Sequence, residues 1–433
     1  MERIWTTDLQ RHVGEHVQLA GWLHRLRVLG GLSFLILRDG KGIAQIVVSE
    51  DRLIRVLGAL NAQSVLALEG IVVSSDQAPG DIEVQAKHID VLVPASAPPP
   101  LDLFRPTIPA QLPTMLDHAP IALRHPQLRR NFQLSAAALN GFRHKLDNLG
   151  FVEITTPKIV ASATEGGANV FRLDYFERSA YLAQSPQFYK QIMVGVFERV
   201  YEVGPVFRAE PHDTPRHLNE YVSLDAELGF IDDHSTVMGV LTEVMAGMIE
   251  AVRDLAALDR RFHDIEFPVP PVSIPAIRFT EALEMIGRAT GEDLADELDL
   301  APAHEQWLGN WVKREHDADF LFVTGFPMAK RPFYTHPDPT RPGYSNSFDL
   351  LFRGLEVVTG GQRLHRYDDY LAALAARNLE PEPFNWYLEA FKHGMPPHGG
   401  FAIGLERWIA RLVGAANVRS TTLFPRDQQR VMP

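Results

Sequence analysis

The stretch Phe207-Arg-Ala-Glu-Pro-His-Asp-Thr-Pro-Arg-His-Leu-Asn-Glu-Tyr221 decides how this chain is read. It has the form strand, loop, strand. Arg208 and Glu210, two positions apart, fall on one face of a strand. Asp213-Thr-Pro turns the chain, and Arg216 and His217 follow. A hairpin bearing two arginines and an acid has the groups to grip a triphosphate and read an adenine amino group. The plainer alternative is a solvated hairpin with surface ion pairs. A second segment, Gly404-Leu-Glu-Arg407, reads as a strand running into an apolar helix. An arginine there can meet an anion with help from the helix N-terminus, or simply pair with an acidic neighbour.

Working outward, Gln127 to Asn148 has helical apolar spacing, and Gly150 stops it. A strand-rich region follows from Phe151 to Phe230. Residues 231–318 are mostly helical and read as an insertion, and the β-pattern returns at Phe320. Strands flanking a helical insertion predict an α+β fold, an antiparallel sheet with helices packed on it. Upstream, Pro94 to Pro113 is rich in proline and alanine and reads as a semi-rigid linker, not a core element. Before it, Val17 onward, Ser33 onward, Ile43 onward, Val65–Ser74 and Ile82–Val93 read as five short strands, with a helical piece near Asp51 to Leu60. That pattern predicts a small β-barrel of the oligonucleotide-binding kind. The expected division is a barrel over 1–93, a linker over 94–120 and a larger domain over 121–433.

The 433 residues are 45% hydrophobic and 22% charged, an ordinary balance for a folded soluble chain. There is no cysteine, which excludes a disulfide scaffold, a Cys-ligated metal site and a cysteine nucleophile. No run approaches the roughly 20 apolar residues that span a bilayer, and the first residues lack a signal-peptide pattern. A cytoplasmic protein with no membrane partner is the expectation. The net charge of −12 argues against indiscriminate coating of nucleic acid but leaves room for a local basic groove. No Gly-rich loop ends in Gly-Lys-Ser/Thr, no His-Glu-x-x-His occurs, and Gly399-Gly-Phe-Ala-Ile-Gly404 misses the dinucleotide spacing.

Taken together, these segments resemble the three motifs of the class II aminoacyl-tRNA synthetases. Gly150-Phe-Val-Glu-Ile-Thr-Thr-Pro157 looks like the first, Phe207 through Glu227 like the second and Gly404-Leu-Glu-Arg407 like the third. Ala163-Thr-Glu-Gly-Gly167, Tyr181-Leu-Ala-Gln-Ser-Pro-Gln-Phe-Tyr-Lys190 and Gly360-Gly-Gln-Arg-Leu-His365 are similar to the aspartyl-tRNA synthetase family in its compact archaeal-type form. The resemblance runs along essentially the whole chain, in order.

The resemblance implies ATP-dependent attachment of L-aspartate to tRNA(Asp) through an aspartyl-adenylate. It puts Arg208 at the α-phosphate and Arg407 at the γ-phosphate end of a bent ATP, as the two catalytic groups. Ala209, Glu210, Arg216, His217, Leu218, Glu356, Gly404, Leu405 and Glu406 complete the implied ATP site, and Tyr221 offers an aromatic face to adenine. Magnesium is implied on Glu356 and Thr359, with Asp349 a water-mediated participant; hard oxygen ligands suit this ion. The implied aspartate site is Glu165 on a mobile lid, Gln187, Phe188, Tyr189, Lys190, Arg208, Asp225, Thr359 and Arg363. Arg363 would read the β-carboxylate, since a guanidinium matches a carboxylate fork. In the barrel, Phe34 would stack on an anticodon base, Gln45 would bond a base edge, and Arg25, Arg27 and Lys41 have the charge to meet phosphates. His24 and Pro79 look like the non-discriminating type, which also charges tRNA(Asn) and feeds an amidotransferase. The Pro157 segment implies a homodimer. Asparaginyl-tRNA synthetase, a tRNA-independent amide ligase and a non-catalytic RNA-binding paralogue are the competing readings.

Overall fold

In the computed structural model of this chain, the described residues are 2–161, 169–211 and 213–432, leaving aside the side chains of Pro79 and Arg260. Glu165 and its lid therefore lie outside the described residues. The chain forms two compact units, Met1–Gln127 and Leu128–Pro433.

The first unit is built on β1 (His16–Leu29), β2 (Leu32–Arg38), β3 (Ile43–Val48), β4 (Val65–Ser74) and β5 (Ile82–Val93), with α1 (Asp51–Gly58) between β3 and β4. The strands close into a barrel in the order β1-β2-β3-β5-β4. Period-two alternation does the folding: Leu35, Leu37, Ile46, Val48, Leu66, Leu68 and Val84 all point into one core. The proline-rich stretch after β5 is more than a tether. Leu101 and Leu103 are buried, because two leucines in an otherwise small and polar stretch have apolar surface to hide. The short helices α2 (Leu112–Asp117) and α3 (Ala119–Ala122) follow.

Helix α4 (Pro126–Asn148) leads into the second unit and ends before Gly150, whose φ of 78° the helix exit requires. The remaining elements are β6 (Val152–Glu153), β7 (Ile159–Val160), β8 (Arg172–Tyr175), β9 (Arg178–Leu182), α5 (Gln187–Phe197), β10 (Arg199–Phe207), β11 (Glu220–Gly229) and α6 (His234–Ala257). After these come β12 (Ala276–Arg278), α7 (Phe279–Thr290), α8 (Pro302–His316), β13 (Phe320–Thr324), β14 (Ser347–Phe352), β15 (Leu355–Gln362), α9 (Tyr367–Ala375), α10 (Asn385–Lys392), β16 (His398–Gly404) and α11 (Leu405–Leu412).

Eight strands form one sheet in the order β12-β13-β14-β15-β16-β11-β10-β6. Its six inner strands are antiparallel, as expected, but β12 and β6 run parallel to their neighbours, so the sheet is mixed. A second departure concerns the hairpin: β10 ends at Phe207, and Arg208 and Glu210 sit in the loop beyond it. A third is α5, a full helix inside the region read as strands. Helix α6 is long and apolar enough to cross a membrane, contrary to the expectation that no run is. Here it is the core helix: Val237, Leu241, Val244, Met245, Met248 and Val252 are buried in the main cluster.

Candidate active site

A cleft opens between the loop after β10, strands β11, β15 and β16, and the start of α11. Arg208, Glu210, His217, Tyr221, Thr359 and Arg407 line it. The loop that carries Arg208 is clamped: Arg208 N donates to Asn219 O at 2.9 Å, and Asn219 Nδ2 returns a bond to Arg208 O at 2.6 Å. Glu210 stands 3.9 Å from Arg208 and 3.7 Å from His217. Burial raises the Tyr221 hydroxyl above its ordinary value, against the opposing charges of Arg208 and Arg407. So Arg208 and Arg407 line one cleft, together with the Tyr221 ring.

Arg216 is held at 2.9 and 3.0 Å by both carboxylate oxygens of Glu305, a residue of α8 that the sequence reading passed over. Glu305 also accepts the Glu356 N–H at 2.8 Å. It thus ties the helical insertion to the cleft wall. Arg407 Nε donates to the Arg216 carbonyl at 3.2 Å. Leu405 departs from expectation: it packs into the main core, as the apolar side of α11 demands. Glu406 lines the cleft, but both its oxygens accept the Val222 N–H at 3.1 Å, and burial pushes its carboxyl up to about 7. It pins α11 to β11. Ala209 gives its N–H to Asn169 O at 2.7 Å, and Leu218 is a buried cleft-wall residue.

On the same wall, Thr359 donates to Glu356 Oε1 at 2.9 Å. Asp349 lies deeper, 3.0 Å from Arg331 Nη2. Burial pushes Asp349 up to about 7, with Glu356 adding to the rise and Arg331 opposing it. Among the described residues no group of three or more His, Asp or Glu side chains gathers as a ready metal cage.

Two cations and two carboxylates form a second, buried cluster. Lys190, 1% exposed, faces Asp225 Oδ1 at 2.9 Å, Phe401 O at 3.3 Å and Glu227 Oε2 at 3.4 Å. Arg363 Nε donates to Glu227 Oε1 at 3.0 Å and Nη2 to Gly400 O at 3.1 Å. Ser223 donates to Asp225 Oδ2 at 2.5 Å. Burial alone would raise the Glu227 carboxyl, but Arg363 and Lys190 outweigh it and hold it low. Glu227 was missed by the sequence reading, although it stands two residues from Asp225 on β11 and so shares its face. Gln187 is 4% exposed, and its Nε2 is a buried donor with no hydrogen-bond partner, the kind of orphan that a ligand satisfies.

Two neighbours depart from expectation. Phe188 is 1% exposed and stacks on Tyr387 at 4.3 Å within an aromatic cluster. Its part is packing. Tyr189 leans on Trp386 at 5.3 Å. The cause is helical period: Gln187, Lys190, Gln191 and Val194 are buried on one face of α5, and residues 188 and 189 point elsewhere.

In the barrel, Phe34 and Gln45 lie on its outer face, since their alternates Leu35 and Ile46 are fully buried. Gln45 Nε2 bonds Glu83 at 3.0 Å. Pro79 opens a short 3-10 turn, Pro79–Asp81. His24 is unlike a base-reading side chain: it is 8% exposed, and burial lowers its imidazole to about 4.

Residues 111–428 match the family described as tRNA synthetases class II (D, K and N), and residues 17–92 match the OB-fold nucleic acid binding domain. The chain is 46% identical to "Aspartate--tRNA(Asp/Asn) ligase" of Thermus thermophilus, covering 100% of both chains. It is 38% identical to "Aspartate--tRNA(Asp) ligase" of Pyrococcus horikoshii, covering 97% of each. Among solved structures, asparaginyl-tRNA synthetase from Pyrococcus horikoshii complexed with asparaginyl-adenylate superposes with a TM-score of 0.92 at 29% identity, covering 100% of both chains.

Proposed function

The chain belongs to the class II tRNA synthetases of the D, K and N group, and from that premise we propose that it attaches L-aspartate to tRNA(Asp), and also to tRNA(Asn), through an aspartyl-adenylate. The observation that carries the aspartate reading is the buried set Lys190, Asp225, Glu227 and Arg363 beside a cleft with Arg208 and Arg407. A ligand with one ammonium and two carboxylates finds in it a carboxylate, Asp225, for the ammonium and a guanidinium, Arg363, for the side-chain carboxylate. Lys190, already facing three acceptors, contributes charge balance.

The carboxylate attacks the α-phosphate and pyrophosphate leaves. Negative charge gathers at phosphorus, so catalysis is positioning plus fixed cations. Arg208 serves the α-phosphate and Arg407 the far end of the triphosphate. Glu305 keeps Arg216 extended into the cleft wall. The Glu356 carboxylate and Thr359 hydroxyl, one acid and one alcohol on the cleft wall, fit magnesium, which takes one or two protein oxygens and completes its shell with phosphates and water. Bound there, it would neutralise triphosphate charge. Asp349, engaged by Arg331, stands behind that pair.

A homodimer at the Pro157 segment belongs to the same reading, and so does an amidotransferase that consumes aspartyl-tRNA(Asn). Aspartylation of two pure transcripts, tRNA(Asp) and tRNA(Asn), tests it. Charging of both is expected. Charging of tRNA(Asp) alone removes the relaxed specificity and the amidotransferase with it. Charging of neither removes the ligase reading.

A further inference from the structure

The outer face of the barrel carries a cluster that adenylate chemistry does not use. Strand β1 bulges between Leu23 and Arg25. Leu23 and His24, consecutive residues, are both buried, and beyond them Leu26 pairs with Leu35 while Arg25 and Arg27 stand opposite Ile36 and Phe34. The extra residue flips the phase of the strand. Without it, residues 25 and 27 would point inward with Val17, Leu19 and Leu23. With it, both arginines are exposed on the face that holds Phe34.

Phe104, from the segment after β5, meets this cluster. Its ring centre lies 4.0 Å from the Arg25 guanidinium carbon and 5.9 Å from that of Arg27. The His24 ring packs on it at 5.4 Å. Phe104 is itself fixed: its N–H donates to Asp102 Oδ1 at 3.0 Å, Asp102 pairs with Arg105 at 3.0 Å, and the Arg105 carbonyl accepts from His125 Nε2 at 2.8 Å. Two like charges on one strand face repel, and a shared aromatic face is what draws both to one place.

We propose that Phe104 is a positioning residue for RNA: its ring holds the Arg25 and Arg27 guanidinium groups beside Phe34, where they meet the phosphates of a single-stranded segment whose base stacks on that ring. His24 then influences tRNA choice by seating Phe104, not by touching a base. The inference rests on the tRNA reading above.

The test uses the full-length protein, a tRNA(Asp) transcript and two variants, Phe104→Leu and Phe104→Tyr. Phe104→Leu keeps apolar bulk but loses the aromatic face. It is expected to raise KM for tRNA roughly fivefold, which is about 1 kcal/mol at 1.4 kcal/mol per tenfold. The dependence of log KM on log salt should become shallower by about 0.7 per lost phosphate contact. Aspartate-dependent ATP–pyrophosphate exchange and kcat should stay at the wild-type level. Phe104→Tyr, which keeps the ring, should stay within roughly twofold of wild type. In an Arg25→Gln background, Phe104→Leu should add little. A wild-type KM and salt slope in Phe104→Leu would overturn the proposal. So would an undiminished effect of Phe104→Leu in the Arg25→Gln background, or a parallel fall in exchange, which marks a structural role. A wild-type chain that exchanges but charges no transcript removes the tRNA reading itself, and this inference with it.

Discussion

At the scale of single residues, the site depends on buried charges that balance one another. Arg208 faces the cleft from a clamped loop, and no other described arginine lines the cleft beside Glu210 except Arg216, held by Glu305, and Arg407. Arg208→Ala should therefore slow aspartate-dependent ATP–pyrophosphate exchange by about 10² or more, the loss typical when one preorganised transition-state contact is removed. Exchange at the wild-type rate would dismiss the assignment. His398 offers a second check. It is fully buried, and burial lowers its ring to about 4 despite Glu227 nearby. The neutral ring gives Nδ1–H to Pro396 O at 2.9 Å and leaves Nε2 to accept from Gln191 at 3.0 Å. The unfolded chain takes up this proton below its ordinary value near 6.5 and the folded protein only near 4. The stability contributed by the neutral ring is thus whole above pH 6.5 and is lost as pH falls through that window. Between pH 7 and pH 5 it should cost about 2 kcal/mol. Denaturant unfolding of wild type and His398→Gln at both values isolates it: the gap between the two proteins should narrow on acidification. A constant gap would contradict the neutral-ring account.

At the scale of elements, the buried ion cluster is set by close approach of strands. A Cβ on Gly400 would lie 2.1 Å from the Ala226 carbonyl and 2.2 Å from Glu227 Oε2. Gly400→Ala should push Glu227 from between Lys190 and Arg363, lower stability by about 1–3 kcal/mol and raise KM for aspartate more than KM for ATP. Equal KM values for both proteins would show that the strand has room. The same scale explains what the sequence concealed. The barrel was legible because period-two alternation, with Leu35, Leu37, Ile46 and Val48 inside, survives intact in a short antiparallel unit. Helix α5 was not, because its polar, inward-facing Gln187, Lys190 and Gln191 erase the apolar stripe that marks a helix. The resemblance implied all of Gln187 to Lys190 as aspartate contacts, and the helical period separates Phe188 and Tyr189 from the face that holds Gln187 and Lys190. The parallel edges β6 and β12 are two and three residues long, too short to show a direction of pairing.

At the scale of the whole molecule, the site is assembled from distant parts of the second unit. Arg363 and Glu227 are 136 positions apart, and Arg216 and Glu305 are 89 apart. Spacing in sequence carries no sign of either pair. Arg208 and Arg407, which face the cleft from a loop and from the start of α11, were legible through the motifs that carry them. Glu227 and Glu305, the partners of Arg363 and Arg216, were not, because a buried carboxylate that holds a cation looks like any acid on a strand or helix. That difference matters for the substrate. The backbone superposes closely on an asparaginyl-tRNA synthetase, so fold alone does not choose between aspartate and asparagine. On the proposed reading, the choice lies in how Lys190, Asp225, Glu227 and Arg363 are charged. Amino-acid-dependent ATP–pyrophosphate exchange, run with L-aspartate and with L-asparagine on the same protein, measures it directly. The predicted result is rapid exchange with aspartate and a kcat/KM for asparagine lower by roughly 10⁴, as for a site whose buried polar groups are left unmatched. Exchange supported equally well or better by asparagine would contradict it.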